Sequence, residues 1–575
     1  MKDYMKTYEA WLNDPFIDED TKEELRKIKE NEREIEDRFY RDLEFGTAGL
    51  RGKLGAGTNR MNRYIVARAT HALARVIKQH GEDYVKRGIA IAHDCRILSP
   101  EFALESALVM AANGIKAYLY DSLRPTPQLS YTVRYFGCSA GINVTASHNP
   151  KNYNGYKVYW EEGSQIKSDI ADRVLTEIDK VKDFADIPRI SEQEALEAGL
   201  LVYTGKEVDE SYLDEVMKLS LRDKEIDKSL RIVYTPLNGA GNIPVREVLK
   251  RKGFHNVHIV KEQEAPDGTF PTVEYPNPED LKAFEYAERL AREVGAELLI
   301  ATDPDCDRLA VEVLHQGEII PLNGNQTGVL LIHYLLSSLT EKNRMPKNPA
   351  IVKSIVTGEM GRAVAEDYGV KMFNVLTGFK NICALPNEWD TSGEYSFVFG
   401  YEESIGYVTG TFVRDKDAVS SSLLLAEAAA YYKAKGKTLV DILSELFEKY
   451  GYYQEKTISL VLEGVEGQQK IKRMMEEYRK IYPLSIGDSQ MTTAIDYAKQ
   501  ISVDVRTKAE SPISIEKTDA VQFLFEDGCF YALRPSGTEP KIKIYVYSKA
   551  DSLQKAQDKL QEIEKTVLDL LRSID

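Results

Sequence analysis

Three times along this chain an apolar strand, a helix and two further apolar strands follow one another, and each time the last strand runs into an unusual polar loop. In the first copy the run 88–92 precedes a helix that Ser99-Pro100-Glu101 opens as cap, first-turn proline and acid, and that Gly114 closes. The run 115–120 follows, and then 140–144 leads into Thr145-Ala146-Ser147-His148-Asn149-Pro150 and a loop rich in Asn, Lys and Tyr. The second copy has strands at 231–234 and 257–260 around a helix at about 244–252, with Gly253 closing it. Asn277-Pro278-Glu279-Asp280 then caps a helix whose Leu281, Phe284, Ala287, Leu290 and Val294 keep a 3.6 period. Its last strand, 298–301, meets Asp303-Pro304-Asp305-Cys306-Asp307-Arg308. The third copy has strands at 350–352 and 370–375, a helix closed by Gly369, and a strand 395–399 that ends at the glycine-flanked loop 400–406.

Strands alternating with helices imply sheets with crossover connections. From about residue 451 the pattern changes. Runs 519–525 and 529–533 flank Glu526-Asp527-Gly528, a hairpin signal. Residues 541–547 alternate with Ile542, Ile544 and Val546 on one face, and a helix over about 552–571 follows. The expected fold is α/β: three topologically similar mixed α/β domains (1–205, 206–318, 319–450) and a smaller C-terminal α+β domain (451–575), around a central cleft. The charge-dense stretch 21–41 is expected as a solvated helical lead-in.

A chain of 575 residues needs several cores. No apolar run approaches the roughly 18 residues of a membrane span, and the first residues lack the apolar core of a signal peptide. Five scattered cysteines without a CxxC pair fit reduced cytoplasmic thiols and give no zinc site. Lys and Arg total 75 against 91 for Asp and Glu, a net charge of −16, so nucleic acid is not an expected partner. An anionic substrate then requires a local basic pocket.

A serine at the end of a buried strand sits at the mouth of a sheet, where open α/β folds place reacting groups. Ser147 is therefore read as the carrier of a phosphoryl group, with His148 beside it. Asp303, Asp305 and Asp307 stand two apart, so in extended backbone their carboxylates face one way. Three close anions call for a cation, and oxygen-only ligands suit Mg²⁺. An EF-hand is excluded, since Arg308 and Leu314 occupy its Gly and Glu positions. Arg534-Pro535-Ser536-Gly537-Thr538, with Lys541 and Lys543 beyond, is either a phosphate cradle or a plain turn between strands. Glu402, Glu403 and Ser404 suit sugar hydroxyls or form a surface turn, and Lys380 adds a cation nearby. Residues 46–53 miss a P-loop by one residue of spacing, with Leu54 where Ser or Thr is needed; their glycines let Arg51 approach a phosphate.

Residues 145–150 resemble the phosphoserine loop of the α-D-phosphohexomutases. Residues 303–308 resemble that family's metal loop, 400–406 its sugar-specificity loop and 534–538 its phosphate-binding loop, in the family's order from about residue 40 onward. Residues 45–52, 154–160 and 377–380 look most like the long phosphoglucomutase/phosphopentomutase branch. Glu403-Ser404-Ile405-Gly406-Tyr407 departs from the shorter Glu-x-Ser-Gly-His of phosphomannomutase-type members.

The resemblance implies a cytoplasmic mutase acting on a small sugar phosphate. Phosphorylated Ser147 would convert glucose 1-phosphate to glucose 6-phosphate through glucose 1,6-bisphosphate. Mg²⁺ would lie on Asp303, Asp305, Asp307 and the Ser147 phosphate. Lys157, ten residues after Ser147, matches the general acid/base, a role that needs its pKa lowered from about 10.4 by Arg51, Arg308 and Mg²⁺. His148 is a hydrogen-bonding neighbour rather than the base. Lys380, Glu402 and Ser404 would hold the sugar; Arg534, Ser536, Gly537, Thr538 and Lys543 would hold the non-reacting phosphate. Ribose or deoxyribose phosphates are the alternative substrates. A glucose-1,6-bisphosphate synthase and a silent sugar-phosphate sensor are the rival functions.

Overall fold

In both copies of the repeat that lie wholly before residue 320, the first apolar run becomes a central strand with the second and third parallel to it on either side. The computed structural model describes residues 2–46, 49–462, 464–536 and 541–574. They fall into two compact units, residues 1–327 with 383–438, and residues 328–382 with 439–575.

In the first unit a six-stranded sheet runs Gly49–Lys53, Tyr153–Trp160, Ala140–Val144, Ile89–His93, Ala117–Tyr120, Leu201–Thr204. A five-stranded sheet runs Glu318–Leu322, Leu309–His315, Leu298–Thr302, Ile232–Thr235, Val257–Ile259. In each, an antiparallel strand returns along the outer side of the third strand, Tyr153–Trp160 in one and Leu309–His315 in the other. The Ser147 and aspartate loops are thus the links between a buried parallel strand and its antiparallel return. The same unit holds the antiparallel pair Ser396–Glu402 and Gly406–Thr409, followed by the buried helix Ala418–Lys433.

Several expectations need correction. The lead-in is helical and its charges are largely exposed, but it is also anchored: helices Asp3–Asn13, Glu19–Lys27 and Glu32–Phe39 bury Tyr4, Tyr8, Trp11, Leu25, Ile35 and Phe39 in the core of the six-stranded sheet. Tyr4, Tyr8 and Trp11 form one helical stripe, while the dense charges occupy the opposite faces. The Asn- and Tyr-rich stretch after Ser147 is largely strand, Tyr153–Trp160. Gly155 is tolerated there because a Cβ would lie 2.5 Å from the Thr145 carbonyl and 3.0 Å from that of Leu50.

Ser99 is not the helix cap. Leu98 holds that position at φ 64°, and Ser99 Oγ donates to Asp94 instead. The helix expected after Asp280 begins as a 3-10 turn, Leu281–Phe284, that leaves Leu281 exposed before Glu285–Val294 continues. Residues 400–402 are strand rather than loop, since Glu402 pairs with Gly406 and leaves three residues in the turn.

The second unit carries the parallel pair Pro349–Ser354 and Lys371–Val375. It also carries an antiparallel sheet in which Tyr452–Val461, Lys541–Ala550, Phe530–Pro535 and Val521–Phe525 lie side by side. The last two strands form the hairpin read from Glu526-Asp527-Gly528. Ser552 caps the helix Leu553–Arg572, which buries Ala556, Ile563, Val567 and Leu571. No described helix is long and apolar enough to cross a membrane.

One buried acid in the second sheet gives a test of stability. Glu312 is 2% exposed, sits opposite Leu299 and Pro321, and has an unbonded Oε2. Burial, with Glu288 adding to it and Arg292 opposing, pushes its pKa up to about 8. The unfolded state then binds fewer protons than the folded state between the ordinary Glu pKa and about 8, so stability falls as pH rises through that window. The slope from this group is at most about 1.4 kcal/mol per pH unit. Glu312→Gln is expected to flatten the decline of the urea midpoint between pH 6 and 8. An unchanged slope would show that Glu312 is not its source.

Candidate active site

The registry of the six-stranded sheet sets His93 beside Val144, so the residues that follow both strands meet at one edge. There Thr145 Oγ1 donates to Asp94 Oδ2 at 2.6 Å and accepts from the Ser147 amide at 2.8 Å. Ser147 takes φ 50°, a left-handed conformation that L-residues seldom adopt. The strained turn points Oγ at the second sheet's loop, where it donates to Asp303 Oδ2 at 2.7 Å. His148 Nδ1 lies 3.2 Å from the same Oγ. Burial, then Arg308 and Arg51, holds the His148 pKa well below the usual imidazole range, so the ring is neutral.

The aspartates converge, but not by extended alternation. Residues 303–308 form a turn: Cys306 sits at φ 52° and its amide donates to the Asp303 carbonyl at 2.8 Å. The amides of Asp307 and Arg308 fold back onto Asp303 Oδ1 at 3.1 and 3.0 Å. The result is three buried carboxylates, each offering an oxygen within 4.8 Å of the others. Asp305 Oδ2 accepts from Thr126 Oγ1 and Lys157 Nζ, both at 2.7 Å, and Asp307 Oδ2 faces Lys416 Nζ at 3.0 Å. The Oδ1 atoms of Asp305 and Asp307 are buried without a hydrogen-bond partner. Orphaned anionic oxygens in a buried cluster cost folding free energy unless a cation meets them, and an all-oxygen donor set suits a hard divalent ion. The residues fit a metal.

Charge is divided unevenly among the three. Burial, then the Asp305 and Asp307 charges, pushes the Asp303 carboxyl well above the carboxylate range. Burial also opposes ionisation of Asp305, but the Lys157 ammonium outweighs it and keeps that carboxyl ionised. Lys157 departs from expectation. Burial would lower its pKa, yet Asp305 and Asp307 outweigh burial and raise it, so Lys157 holds its proton. Arg51 and Arg308 do not dominate that balance.

Arg51, from strand Gly49–Lys53 paired with Tyr153–Trp160, donates to Asn149 Oδ1 at 3.0 Å. Arg308 donates to the Ser404 carbonyl at 2.9 Å, and the Leu309 amide donates to the Ile405 carbonyl at 3.0 Å. These bonds clip the turn after Glu402 to the aspartate loop. Gly324 supports the same turn, because a Cβ there would fall 1.9 Å from the Glu403 carbonyl oxygen. Glu402 is buried in its strand. The first unit therefore brings Ser147, His148, Lys157, Arg51, Arg308, the three aspartates, Glu402 and Ser404 into one neighbourhood.

Lys380, Arg534, Ser536 and Lys543 belong to the second unit. Lys380 lies in the short helix Phe379–Ile382, where burial lowers its pKa. Arg534 and Lys543 are directly opposed across two antiparallel strands, and the Ser536 amide donates to the Lys541 carbonyl at 2.8 Å. The pairing sets two cationic side chains side by side on one sheet face. Gly537 and Thr538 lie outside the described residues, as do Thr47 and Ala48 of the 46–53 stretch.

Sequence reasoning missed Lys416, Thr126, Asp94 and Arg96. Lys416 is 8% exposed, bridges Asp307 and Asp415 at 3.0 and 3.2 Å, and has its pKa raised because their charges outweigh burial. A signal existed. Arg414-Asp415-Lys416-Asp417 abuts a helix with only one charge before its last residue, and a charged quartet entering so apolar a helix is drawn into the interior, where each charge needs a partner.

The sequence matches phosphoglucomutase/phosphomannomutase α/β/α domain I over residues 42–184, domain II over 210–316, domain III over 323–450 and the C-terminal domain over 496–565. It is 38% identical to a phosphoglucomutase of Staphylococcus haemolyticus over 90% of this chain and 92% of that protein. It is 36% identical to a Staphylococcus aureus phosphoglucomutase over 93% and 95%. The open form of parafusin, a Paramecium phosphoglucomutase, superposes with a TM-score of 0.66 at 17% identity, over 93% of this chain and 95% of that one. That likeness is one of fold: three α/β domains and a C-terminal domain.

Proposed function

The chain belongs to the phosphoglucomutase/phosphomannomutase family, the α-D-phosphohexomutases, and on that premise we propose that it interconverts glucose 1-phosphate and glucose 6-phosphate through a phosphoserine at Ser147. The observation that carries the reading is the Ser147 hydroxyl, 2.7 Å from a buried three-carboxylate cluster with two orphaned oxygens. A binding module needs neither a strained serine nor such a cluster. Curated phosphoglucomutases of Staphylococcus at 36–38% identity support glucose over pentose as the sugar.

In this reading the Ser147 Oγ–phosphorus bond breaks as a sugar hydroxyl oxygen bonds to phosphorus; the serine oxygen takes a proton from Lys157, and the proton that the sugar hydroxyl loses replaces it there. The bisphosphate then returns its other phosphoryl group to Ser147 and leaves the isomerised monophosphate. Asp303, Asp305 and Asp307 would hold Mg²⁺, which when bound neutralises charge on the transferring group. Lys157, protonated and buried, places a positive charge beside the carboxylates and serves as the acid. Arg51 and Arg308 flank the same loops and would steady the phosphoryl oxygens. Glu402 and Ser404 would meet sugar hydroxyls; for Lys380 a sugar-binding role, and for Arg534, Ser536, Gly537, Thr538 and Lys543 a phosphate-binding role, are what the family resemblance implies. Glucose 1,6-bisphosphate would serve as intermediate and activator. Five free thiols suit a cytoplasmic setting.

The test is turnover with Mg²⁺ and a trace of glucose 1,6-bisphosphate, in parallel wells of glucose 1-phosphate, ribose 1-phosphate and mannose 1-phosphate. Glucose 6-phosphate is expected to form fastest. Product in the ribose well alone would move the substrate to pentoses, the alternative that comes with the resemblance to the phosphoglucomutase/phosphopentomutase branch. A folded protein with no turnover in any well would overturn the mutase reading.

A further inference from the structure

Arg96 is 1% exposed and touches none of the groups assigned above to substrate or metal, yet the loop that bears Ser147 is wrapped around it. Its Nη2 donates to the carbonyls of Ser147 and Asn149, each at 2.5 Å. Its Nη1 donates to those of Pro150 and Tyr153 at 2.9 and 3.1 Å. Four carbonyls from a seven-residue segment thus converge on one guanidinium.

The guanidinium is itself held. Asp94, fully buried, takes the Arg96 amide on Oδ1 at 2.9 Å and faces Nε with Oδ2 at 3.4 Å. The Phe270 ring lies 5.1 Å from the guanidinium carbon. The other Asp94 contacts are Ser99 Oγ, which fixes the next helix, and Thr145 Oγ1, the group that receives the Ser147 amide.

We infer that Arg96, braced by Asp94, is a positioning residue for the phosphoryl-transfer step: it holds the left-handed turn at Ser147 and so sets where Oγ meets the aspartate loop. The inference rests on the proposed mutase function and adds a residue to it. The reason lies in the backbone. A non-glycine residue at φ 50° is strained and persists only where surroundings over-determine it. Carbonyls turned inward to make such a turn need donors, and a planar guanidinium meets four of them from its two terminal nitrogens, one more than the three donors of an ammonium. Charge alone would not do this work; fork geometry would.

Arg96→Lys keeps the charge and loses the fork. It is expected to lower kcat for glucose 1-phosphate by roughly 10- to 100-fold, the scale of an ångström-sized misplacement. KM should stay within about threefold, since Arg96 meets no substrate group. Amide hydrogen exchange supplies a readout independent of turnover. Exchange at Ser147, Asn149 and Tyr153 should quicken while the strands Ile89–His93 and Ala140–Val144 keep their protection. Asp94→Asn, which preserves shape, is expected to give the same local signature and serves if Arg96→Lys does not fold. Wild-type kcat and wild-type exchange in a folded Arg96→Lys would overturn the inference. So would loss of protection spread across the whole sheet in both variants, which would mark a purely structural role. If wild type itself turns over no sugar phosphate, the mutase reading fails, and the exchange data still decide whether Arg96 holds the loop.

Discussion

Ser147→Ala is expected to lose turnover by at least about 10⁴-fold, because it removes the one atom on which the phosphoryl group would rest between half-reactions. The fold should be untouched. Alanine is no worse than serine at φ 50°, and the Arg96 and Thr145 bonds to this turn use backbone atoms of residue 147. What is lost is two hydrogen bonds of Oγ, to Asp303 and to His148 Nδ1, each worth about 1 kcal/mol net. The melting temperature should therefore barely move while activity vanishes. Glucose 1,6-bisphosphate labelled with ³²P separates this from a binding defect: wild type should take up label on protein and the variant none. Label on Ser147→Ala, or residual turnover within tenfold of wild type, would place the acceptor elsewhere.

The second large effect concerns the carboxylate cluster. Chelation of divalent ions is expected to abolish turnover, and added Mg²⁺ to restore it. A second readout needs no chemistry. Three buried carboxylates within 4.8 Å, two with orphaned oxygens, leave the metal-free protein short of its full stability. A cation that binds only the folded state should add about 2.7 kcal/mol at a hundredfold excess over its Kd, read as a rise in the urea midpoint.

Asp305→Asn should remove both that rise and the activity. Asp305 is the informative position because it holds Lys157 at 2.7 Å and Thr126 at 2.7 Å, so its carboxylate orients groups from the first sheet as well as offering a ligand atom. Turnover that survives chelation, together with an unmoved midpoint, would remove the metal from the mechanism.

Much of this site is legible as local text. Ser147 at the end of an apolar strand, the aspartates after another, and the hairpin around Asp527-Gly528 each follow from a few neighbouring residues: strand propensity, polarity and turn chemistry. Where local reading failed, packing overruled it. The charge-dense lead-in is anchored to the core through Leu25, Ile35 and Phe39, apolar residues set among its charges. The Asn- and Tyr-rich stretch became the strand Tyr153–Trp160 because two neighbouring strands stood ready to pair with it. The aspartates met through a folded turn stitched by backbone amides, a geometry that spacing by two does not encode.

What the amino-acid order determined by itself is therefore the inventory of loops and the chemistry each can offer. Only the tertiary structure decided which groups face which. Ser147 meets Asp303 across 156 residues, Lys157 meets Asp305 across 148, and Arg96 meets the Ser147 carbonyl across 51. Such pairings come from strand registry and sheet order, which are settled by burying apolar faces far from the site. The same juxtapositions set the charges. Lys157 keeps its proton and His148 stays neutral because of neighbours that no window of nearby sequence contains.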